Sequence, residues 1–191
     1  VSSLFAICIL TYMLASRAYS SRQIRLKKYP VLGFLIVVIF QGAFTFFMCT
    51  IGITNSGFTF SSANTLILIA SSLQIAGAYP LTQIYQHKED LADGVVTLSY
   101  KLGYKGTFIF TGLMFAICNV FYYLYFKEIG HVNQFFILQL FFLPIVIYFT
   151  FWFLKLTKSH SEANFKNTMR MNAIASVCMN VCFTFLFFIN H

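Results

Sequence analysis

The stretch Val31–Ile53 reads VLGFLIVVIFQGAFTFFMCTIGI and contains no charged side chain. Runs of about 18 or more apolar residues are long enough to cross the hydrocarbon core of a bilayer as an α-helix. The composition of the chain agrees, because 59% of its residues are hydrophobic and only 9% are charged, whereas an ordinary soluble domain has about 25% charged residues. The sequence therefore predicts an all-α fold, a polytopic transmembrane helical bundle.

Six such spans are predicted along the chain. The second is entered through Pro30, and proline suits the first turn of a helix. No repeat of fixed period and no low-complexity linker divides the sequence, so we expect a single domain over residues 1–191. The predicted spans cover approximately Val1–Ser16, Val31–Ile53, Thr65–Tyr85, Thr107–Phe126, Gln134–Leu154 and Met169–Ile189.

The N-terminal residues have none of the features of a signal peptide. The chain begins with Val rather than Met, and its first residues, VSSLFAICILTYMLAS, resemble the tail of a helix already under way. A basic n-region and a small-residue cleavage site are both missing from this sequence. We therefore expect an N-terminally truncated piece of a longer protein.

The basic residues predict the orientation. All of the thirteen Lys and Arg residues except Lys127 fall in the loops after the first, third and fifth spans. Because excess Lys and Arg mark the cytoplasmic side, we expect these loops to be cytoplasmic in a multi-pass protein of the bacterial inner membrane. The net charge of +8 then belongs to membrane loops, and we expect no nucleic-acid partner.

One of these loops lies in the stretch Gln83–Gly103, QIYQHKEDLADGVVTLSYKLG, which holds three of the five acidic residues: Glu89, Asp90 and Asp93. If the stretch is helical, Gln86 and Asp90 lie one turn apart on the same face. Carboxylates at the mouth of an apolar bundle can hold Mg²⁺ against a phosphate, because this cation prefers oxygen ligands. The alternative is a solvated loop whose charges keep it out of the bilayer.

A second loop, Tyr19–Pro30, is basic and reads YSSRQIRLKKYP. Together with the acidic stretch it could hold a diphosphate, with Mg²⁺ on the carboxylates and with Arg or Lys donating to the remaining oxygens. The alternative is a topology anchor that contacts anionic lipid. The residues by themselves leave both interpretations open.

Both loops resemble motifs of one family. The sequence from Asp90 to Leu98, DLADGVVTL, followed by Leu102 and Gly103, is similar to the second aspartate-rich motif of the UbiA superfamily of intramembrane prenyltransferases. The basic loop is similar to a signature of members that prenylate homogentisate or chlorophyllide-type acceptors. The matching residues of that loop are Tyr19, Ser20, Arg25, Leu26, Lys27, Lys28 and Pro30.

The resemblance implies a fold and an activity. UbiA-type enzymes have nine transmembrane helices around a cavity, and they use Mg²⁺ to bind an isoprenyl diphosphate and transfer its prenyl chain to an aromatic or other lipophilic acceptor. The six spans then correspond to helices four to nine. The first aspartate-rich motif, which lies after the second helix in the family, has no counterpart in this sequence.

The resemblance also assigns roles. The expected Mg²⁺ ligands are Asp90, Gln86, Glu89 and Asp93, and the expected diphosphate-binding residues are Arg22, Arg25, Lys27 and Lys28. The expected catalytic residues are Asp90, Tyr19 and Lys27.

The chain departs from the family pattern at two places. Gln86 stands where the motif has its first Asp, and it offers a carbonyl oxygen but no charge. Arg22-Gln23 stands where the basic signature has Pro-Pro. Gln86 favours the alternative function, a non-catalytic homologue or a small membrane transporter.

Several amides lie inside the predicted spans, where they are costly unless they face the bundle or a cavity. We expect about half of them only to bridge helices. Pro80 is expected to kink the third span and to direct the acidic stretch inward. The intramembrane amides are Gln41, Gln74, Asn119, Gln139, Asn172 and Asn180.

Overall fold

The computed structural model describes residues 2–21, 23–54 and 57–189. Every regular element in those ranges is helical, and six stretches are long and apolar enough to cross a membrane. The prediction of an all-α polytopic bundle is confirmed. The six stretches are Ser3–Ser20, Pro30–Thr54, Ser62–Ala92, Leu98–Glu128, Val132–Lys158 and Phe165–Ile189.

The described residues form eight α-helices and four shorter helical segments. A π-helical segment, Ile39–Phe44, joins α2 to α3, and 3-10 turns cover Leu26–Lys28, Ile84–Gln86 and His160–Glu162. The α-helices are α1 (Ser3–Ser20), α2 (Pro30–Val38), α3 (Thr45–Thr54), α4 (Ser62–Thr82), α5 (His87–Ala92), α6 (Leu98–Glu128), α7 (Val132–Lys158) and α8 (Phe165–Ile189).

Most helices extend beyond the predicted spans. Helix α1 continues to Ser20, so Tyr19 is helical rather than part of a loop; the predicted start at Val1 lies outside the described residues. Helix α7 runs from Val132 to Lys158, beyond the predicted Gln134–Leu154. The difference has a physical reason, because counting apolar residues measures the hydrocarbon crossing, whereas a helix can continue past it with charged side chains such as Lys158. Helix α6 starts at Leu98, but Gly103 interrupts it, so its continuous part begins after Gly103, close to the predicted Thr107.

Side-chain caps define several of the helix starts. The Ser2 hydroxyl accepts from the Phe5 N–H at 3.2 Å, and the Thr97 hydroxyl accepts from the Tyr100 N–H at 3.2 Å. Such caps satisfy backbone donors that the first turn leaves without a partner. Pro30 begins α2, as expected from its missing N–H.

The chain divides into two compact units, one ending at Tyr125 and the other beginning at Phe126. In the first unit, α4 packs against α2 and the π-helical segment. Helices α4 and α6 are joined by a hydrogen bond from the Thr111 hydroxyl to the Gly77 carbonyl, at 2.9 Å. In the second unit, α7 packs against α8, with Leu138, Trp152 and Cys182 buried. Whether both units act as one domain stays a prediction.

Few residues of each span are fully buried inside the protein. At most 28% of the most apolar window of any span is buried inside the protein, and the exposed side chains include many Leu, Ile and Phe residues. Apolar surface on this scale is suited to lipid rather than to water.

Candidate functional site

The basic loop folds back on the helix that it precedes. The Arg25 N–H donates to the Ser21 carbonyl at 2.7 Å, and the Lys28 N–H donates to the Arg25 carbonyl at 3.0 Å. Arg25 adopts a left-handed conformation with φ 47° and ψ 54°, which is uncommon for a residue other than glycine. A Cβ at Gly33 would come within 3.2 Å of the Lys27 Cα, so glycine at this position allows the loop to lie against α2.

The acidic stretch is a short helix followed by a glycine turn. The Asp90 carbonyl accepts from the Val95 N–H at 2.8 Å, and the Leu91 carbonyl accepts from the Gly94 N–H at 3.0 Å. Gly94 has φ +70°, which a residue without a Cβ adopts at little cost. Gln86 ends the preceding 3-10 turn and is the N-cap residue of α5, so it joins two helical segments instead of lying in one continuous helix with Asp90.

The structure brings the two loops together. An Arg25 guanidinium nitrogen lies 3.1 Å from an Asp93 carboxylate oxygen. The side chains are 28% and 68% exposed, and exposed pairs of this kind contribute only about 0–1 kcal/mol. The pair therefore shows that the two loops are neighbours, but it contributes little to the stability of the fold.

Two side-chain oxygen atoms of the stretch Gln83–Gly103 are buried and have no hydrogen-bond partner within the described chain: Asp90 Oδ2 and Gln83 Oε1. Asp90 lies within electrostatic range of Lys27 and of the Tyr19 and Tyr79 hydroxyls. The Gln83 amide nitrogen donates to the Tyr79 hydroxyl at 2.9 Å, which leaves the amide oxygen as the group without a partner.

A small cleft lies beside the Gln83 and Tyr79 side chains. Lys27 from the basic loop, Tyr19 from α1 and Gln83 from the end of α4 all contribute to its wall. It therefore combines a cation, hydroxyl groups and an amide at the end of an otherwise apolar bundle. The lining residues are Tyr19, Lys27, Pro30, Gly33, Phe34, Tyr79, Gln83, Thr97 and Leu98.

The other predicted site residues lie in different surroundings. The Lys28 ammonium lies 5.0 Å from the centroid of the Tyr29 ring, Glu89 is exposed, and the Gln86 amide donates to the Tyr85 hydroxyl at 2.6 Å. Arg22 is outside the described residues. Within the described ranges, no three His, Cys, Asp or Glu side chains converge where they could hold a metal ion, so Glu89, Asp90 and Asp93 do not form a carboxylate cluster by themselves.

The family of the chain follows from comparison with known proteins. The model of the UbiA prenyltransferase family matches residues 1–174. This chain belongs to the UbiA family. No curated protein and no solved structure matches it. Membership in UbiA, with six helices suited to crossing a membrane, makes the chain a multi-pass integral membrane protein of a prenyltransferase family, and that family is generally metal-dependent.

The backbone conformation explains why the UbiA-like motif closes with a glycine. Gly103 lies within α6 with φ 66° and ψ 177°, a conformation that is essentially restricted to glycine. The Thr107 hydroxyl bonds to the Gly103 carbonyl at 2.7 Å and to the Ser99 carbonyl at 3.1 Å. The break therefore redirects the helix after Leu98–Leu102, and the Thr107 hydroxyl joins the turn after the break to the Ser99 carbonyl before it.

His87 joins α5 to α6 through contacts that the sequence did not predict. It is 7% exposed, its Nε2 lies 2.8 Å from the Ser99 hydroxyl, and its ring stacks on Tyr104 with a centroid distance of 5.0 Å and an interplanar angle of 3°. His87 begins α5, so these contacts hold the helix that carries Asp90 against α6.

Two further members of the site had no assigned polar role in the sequence interpretation. They are Tyr79 and Gln83. Their spacing is a usable signal, because residues four apart in a helix share a face, and Gln83 follows Tyr79 by four positions. Helix α4 ends at Thr82, shortly after Pro80, and the expected kink at this proline and its effect on the acidic stretch stay predictions.

Proposed function

We propose that this protein is an integral-membrane prenyltransferase that transfers an isoprenyl chain from a polyprenyl diphosphate to an aromatic or lipophilic acceptor, with Mg²⁺ as cofactor. The observation that carries this proposal is the pair of unpartnered buried oxygens, Asp90 Oδ2 and Gln83 Oε1. Gln83 lines a cleft with Lys27 and Tyr19, and Asp90 lies within electrostatic range of those two residues. Burying polar oxygens without partners is costly. The cost is removed if a cation and its anionic substrate complete the site.

The donor chemistry fits the proposed cofactor. Mg²⁺ takes carboxylate and carbonyl oxygens, and it commonly binds through one or two carboxylates plus substrate phosphates. Asp90 and Gln83 supply two such oxygens, and we propose that Gln86, Glu89 and Asp93 contribute at the edge of the site. When bound, Mg²⁺ would neutralise negative charge on the diphosphate oxygens.

The chain's own residues have separate tasks in this proposal. Lys27 places a positive charge at the cleft, where it stabilises the negative charge that develops on the departing diphosphate. The Tyr19 hydroxyl donates to a diphosphate oxygen. Arg25 supplies a planar guanidinium from the same loop, and Arg22 and Lys28 add positive charge to that loop. We also propose that the loop is cytoplasmic, because it belongs to the basic side of the chain.

The experiment is Mg²⁺-dependent diphosphate release from farnesyl or geranylgeranyl diphosphate by the intact protein. Asp90→Asn keeps the shape of the side chain and removes its charge, and it should lower the rate by about 100-fold or more, as losses of single charge-stabilising groups do. The matched control is Glu128→Gln, since Glu128 is an exposed carboxylate at the other end of α6.

Two results would contradict the proposal. Equal rates in wild type and Asp90→Asn would remove Asp90 from the site. No diphosphate release by the wild type, with any acceptor supplied, would favour a non-catalytic homologue or a small transporter. The Gln86 amide, which donates to Tyr85 where the family motif has a carboxylate, is the observation that favours this second reading.

A further inference from the structure

Helix α5 is too short to hold its own position. It has six residues, His87–Ala92, whereas isolated helices of fewer than about 12–15 residues are marginal even in favourable sequences. It nevertheless carries Asp90, whose Oδ2 is buried without a partner in the described chain, and burial of that kind is costly. Contacts from outside the helix therefore keep Asp90 in place.

The C-terminal end of α5 is held by the turn that follows it. The Asp90 carbonyl accepts from the Val95 N–H at 2.8 Å, and Val95 is 2% exposed. The contact between Arg25 and Asp93 lies at the same end but is largely exposed, so it adds little. These contacts fix the backbone after Asp90, and the start of the helix depends on other residues.

The N-terminal end of α5 is held by His87. Its ring stacks on Tyr104 and meets Tyr100 edge-on, the second pair with centroids 5.6 Å apart and an interplanar angle of 75°. Tyr100 precedes the break in α6 at Gly103, and Tyr104 follows it. The two rings therefore fix the plane of the imidazole against both parts of α6.

A directed chain of hydrogen bonds continues from His87 into α6. The Thr107 hydroxyl donates to a backbone carbonyl, that of Gly103 at 2.7 Å or that of Ser99 at 3.1 Å, so its oxygen accepts from the Ser99 hydroxyl at 3.1 Å. The Ser99 oxygen then accepts from the His87 Nε2–H at 2.8 Å. Ser99 and Thr107 are fully buried, and hydrogen bonds in such surroundings are stronger than in water.

The anchored residue and the carboxylate lie on the same face of α5. Asp90 follows His87 by three positions, and residues at i and i+3 are neighbours on a helix surface. A shift or rotation of α5 at His87 therefore moves the Asp90 side chain as well.

We propose that His87 is a positioning residue for the Mg²⁺–diphosphate site, and that its contacts with Ser99 and Tyr104 hold Asp90 Oδ2 in place before the cation binds. The inference rests on the proposed prenyltransferase function, and it assigns a residue that acts through Asp90 and contacts neither metal nor substrate. A site whose ligand is already held loses less of its binding free energy to ordering that ligand. His87 therefore determines how much Mg²⁺ the site requires.

The test measures the Mg²⁺ requirement for binding of farnesyl thiodiphosphate, an analogue that does not readily release its prenyl chain. Binding to the intact, detergent-solubilised protein is followed by equilibrium dialysis over a series of Mg²⁺ concentrations. The data give both the number of sites and the half-saturating Mg²⁺ concentration. A residue that only stabilises the fold changes the number of sites, because unfolded protein does not bind, whereas a positioning residue changes the half-saturating concentration.

Two variants remove the same hydrogen bond from opposite sides. His87→Phe keeps an aromatic ring against Tyr104 and should raise the half-saturating Mg²⁺ concentration by about tenfold, the loss of one buried hydrogen bond. Ser99→Ala should have the same effect, so the proposal can be tested even if His87→Phe does not fold. Because both changes remove one bond, the double variant should require no more Mg²⁺ than either single variant.

His87→Gln is the conservative replacement. Its amide nitrogen can donate in place of Nε2, so it should restore the Mg²⁺ requirement to within about threefold of the wild type. The matched control is Tyr122→Phe, since the Tyr122 hydroxyl donates to Gln74 at 2.6 Å and the residue is buried but does not line the cleft. It should lower the unfolding midpoint and leave the Mg²⁺ requirement unchanged.

Three results would overturn this inference: a wild-type Mg²⁺ requirement in both His87→Phe and Ser99→Ala, an equal increase in Tyr122→Phe, or no recovery in His87→Gln. Failure of the proposed function has a different signature. In that case the wild type itself would bind no farnesyl thiodiphosphate at any Mg²⁺ concentration.

Discussion

The hydroxyl groups of Tyr19 and Tyr79 share a hydrogen bond, although the two residues are 60 positions apart in the sequence. This bond joins the end of α1 to the end of α4 at the candidate diphosphate cleft. Tyr79 also accepts from the Gln83 amide at 2.9 Å. One hydroxyl therefore orients both a proposed substrate donor, Tyr19, and a proposed metal ligand, Gln83.

Tyr79→Phe should disturb both partners at once. The substitution leaves the Tyr19 hydroxyl and the Gln83 amide without their common partner, which should cost about 1–3 kcal/mol in unfolding free energy and should lower the rate of diphosphate release. Thermal unfolding in detergent and the release assay measure the two effects.

The matched control for this change is Tyr29→Phe. Tyr29 is exposed, and its ring, which lies under the Lys28 ammonium, is kept by phenylalanine. If Tyr79→Phe is as stable and as active as Tyr29→Phe, then Tyr79 does not organise the cleft.

Arg25 and Asp93 should be weakly coupled. Their contact is 3.1 Å long but largely exposed, so a double-mutant cycle with Arg25→Gln and Asp93→Asn should give about 0.2–1 kcal/mol of unfolding free energy. The coupling should fall as salt is raised, because screening acts on exposed charges. Urea or thermal unfolding at low and high ionic strength measures it.

A second cycle with Lys28→Gln and Asp93→Asn provides the reference, since the Lys28 ammonium lies over the Tyr29 ring. Equal coupling in the two cycles would mean that the Arg25–Asp93 contact has no specific energy and that only the general charge of the basic loop matters.

Gly103→Ala should be much more disruptive than Gly106→Ala. Gly103 has φ +66°, and placing a side chain in such a conformation costs about 1–3 kcal/mol. Gly106 lies in the same helix without a positive φ, and its added Cβ would lie 3.3 Å from the Leu102 Cβ. Alanine at that position also gains about 0.5–1 kcal/mol from helix propensity, so its net effect should be small.

The measurement is the unfolding midpoint of both variants in detergent, with diphosphate release as a second readout. Similar losses in the two variants would show that the break in α6 is not required, and that the helix can straighten through Gly103 without cost.

The number of spans could be predicted from the sequence because crossing a membrane imposes a local requirement, a long uninterrupted apolar run. The predicted ends were less accurate for the same reason. Helix α7, for example, ends at Lys158 and not at Leu154, since the hydrocarbon limits apolar length and not helix length.

Part of the candidate site was also visible in the sequence. Tyr19, Lys27 and Asp90 were chosen from two motifs, and the structure places them close to one another. The different surroundings of Lys28 and Glu89 could not be predicted. Adjacent residues such as Lys27 and Lys28 have the same chemistry in a motif, and only the turn of the backbone decides which of them faces the cleft.

The sequence by itself determined the membrane fold, the family and the two loops of opposite charge, all of which depend on composition or on residues close together in the chain. The tertiary structure alone decided the bond between Tyr19 and Tyr79, the burial of the Gln83 and Asp90 oxygens and the contact between His87 and Ser99. These features join residues from different helices. Their positions depend on how the helices pack, and no pattern along a single helix contains that information.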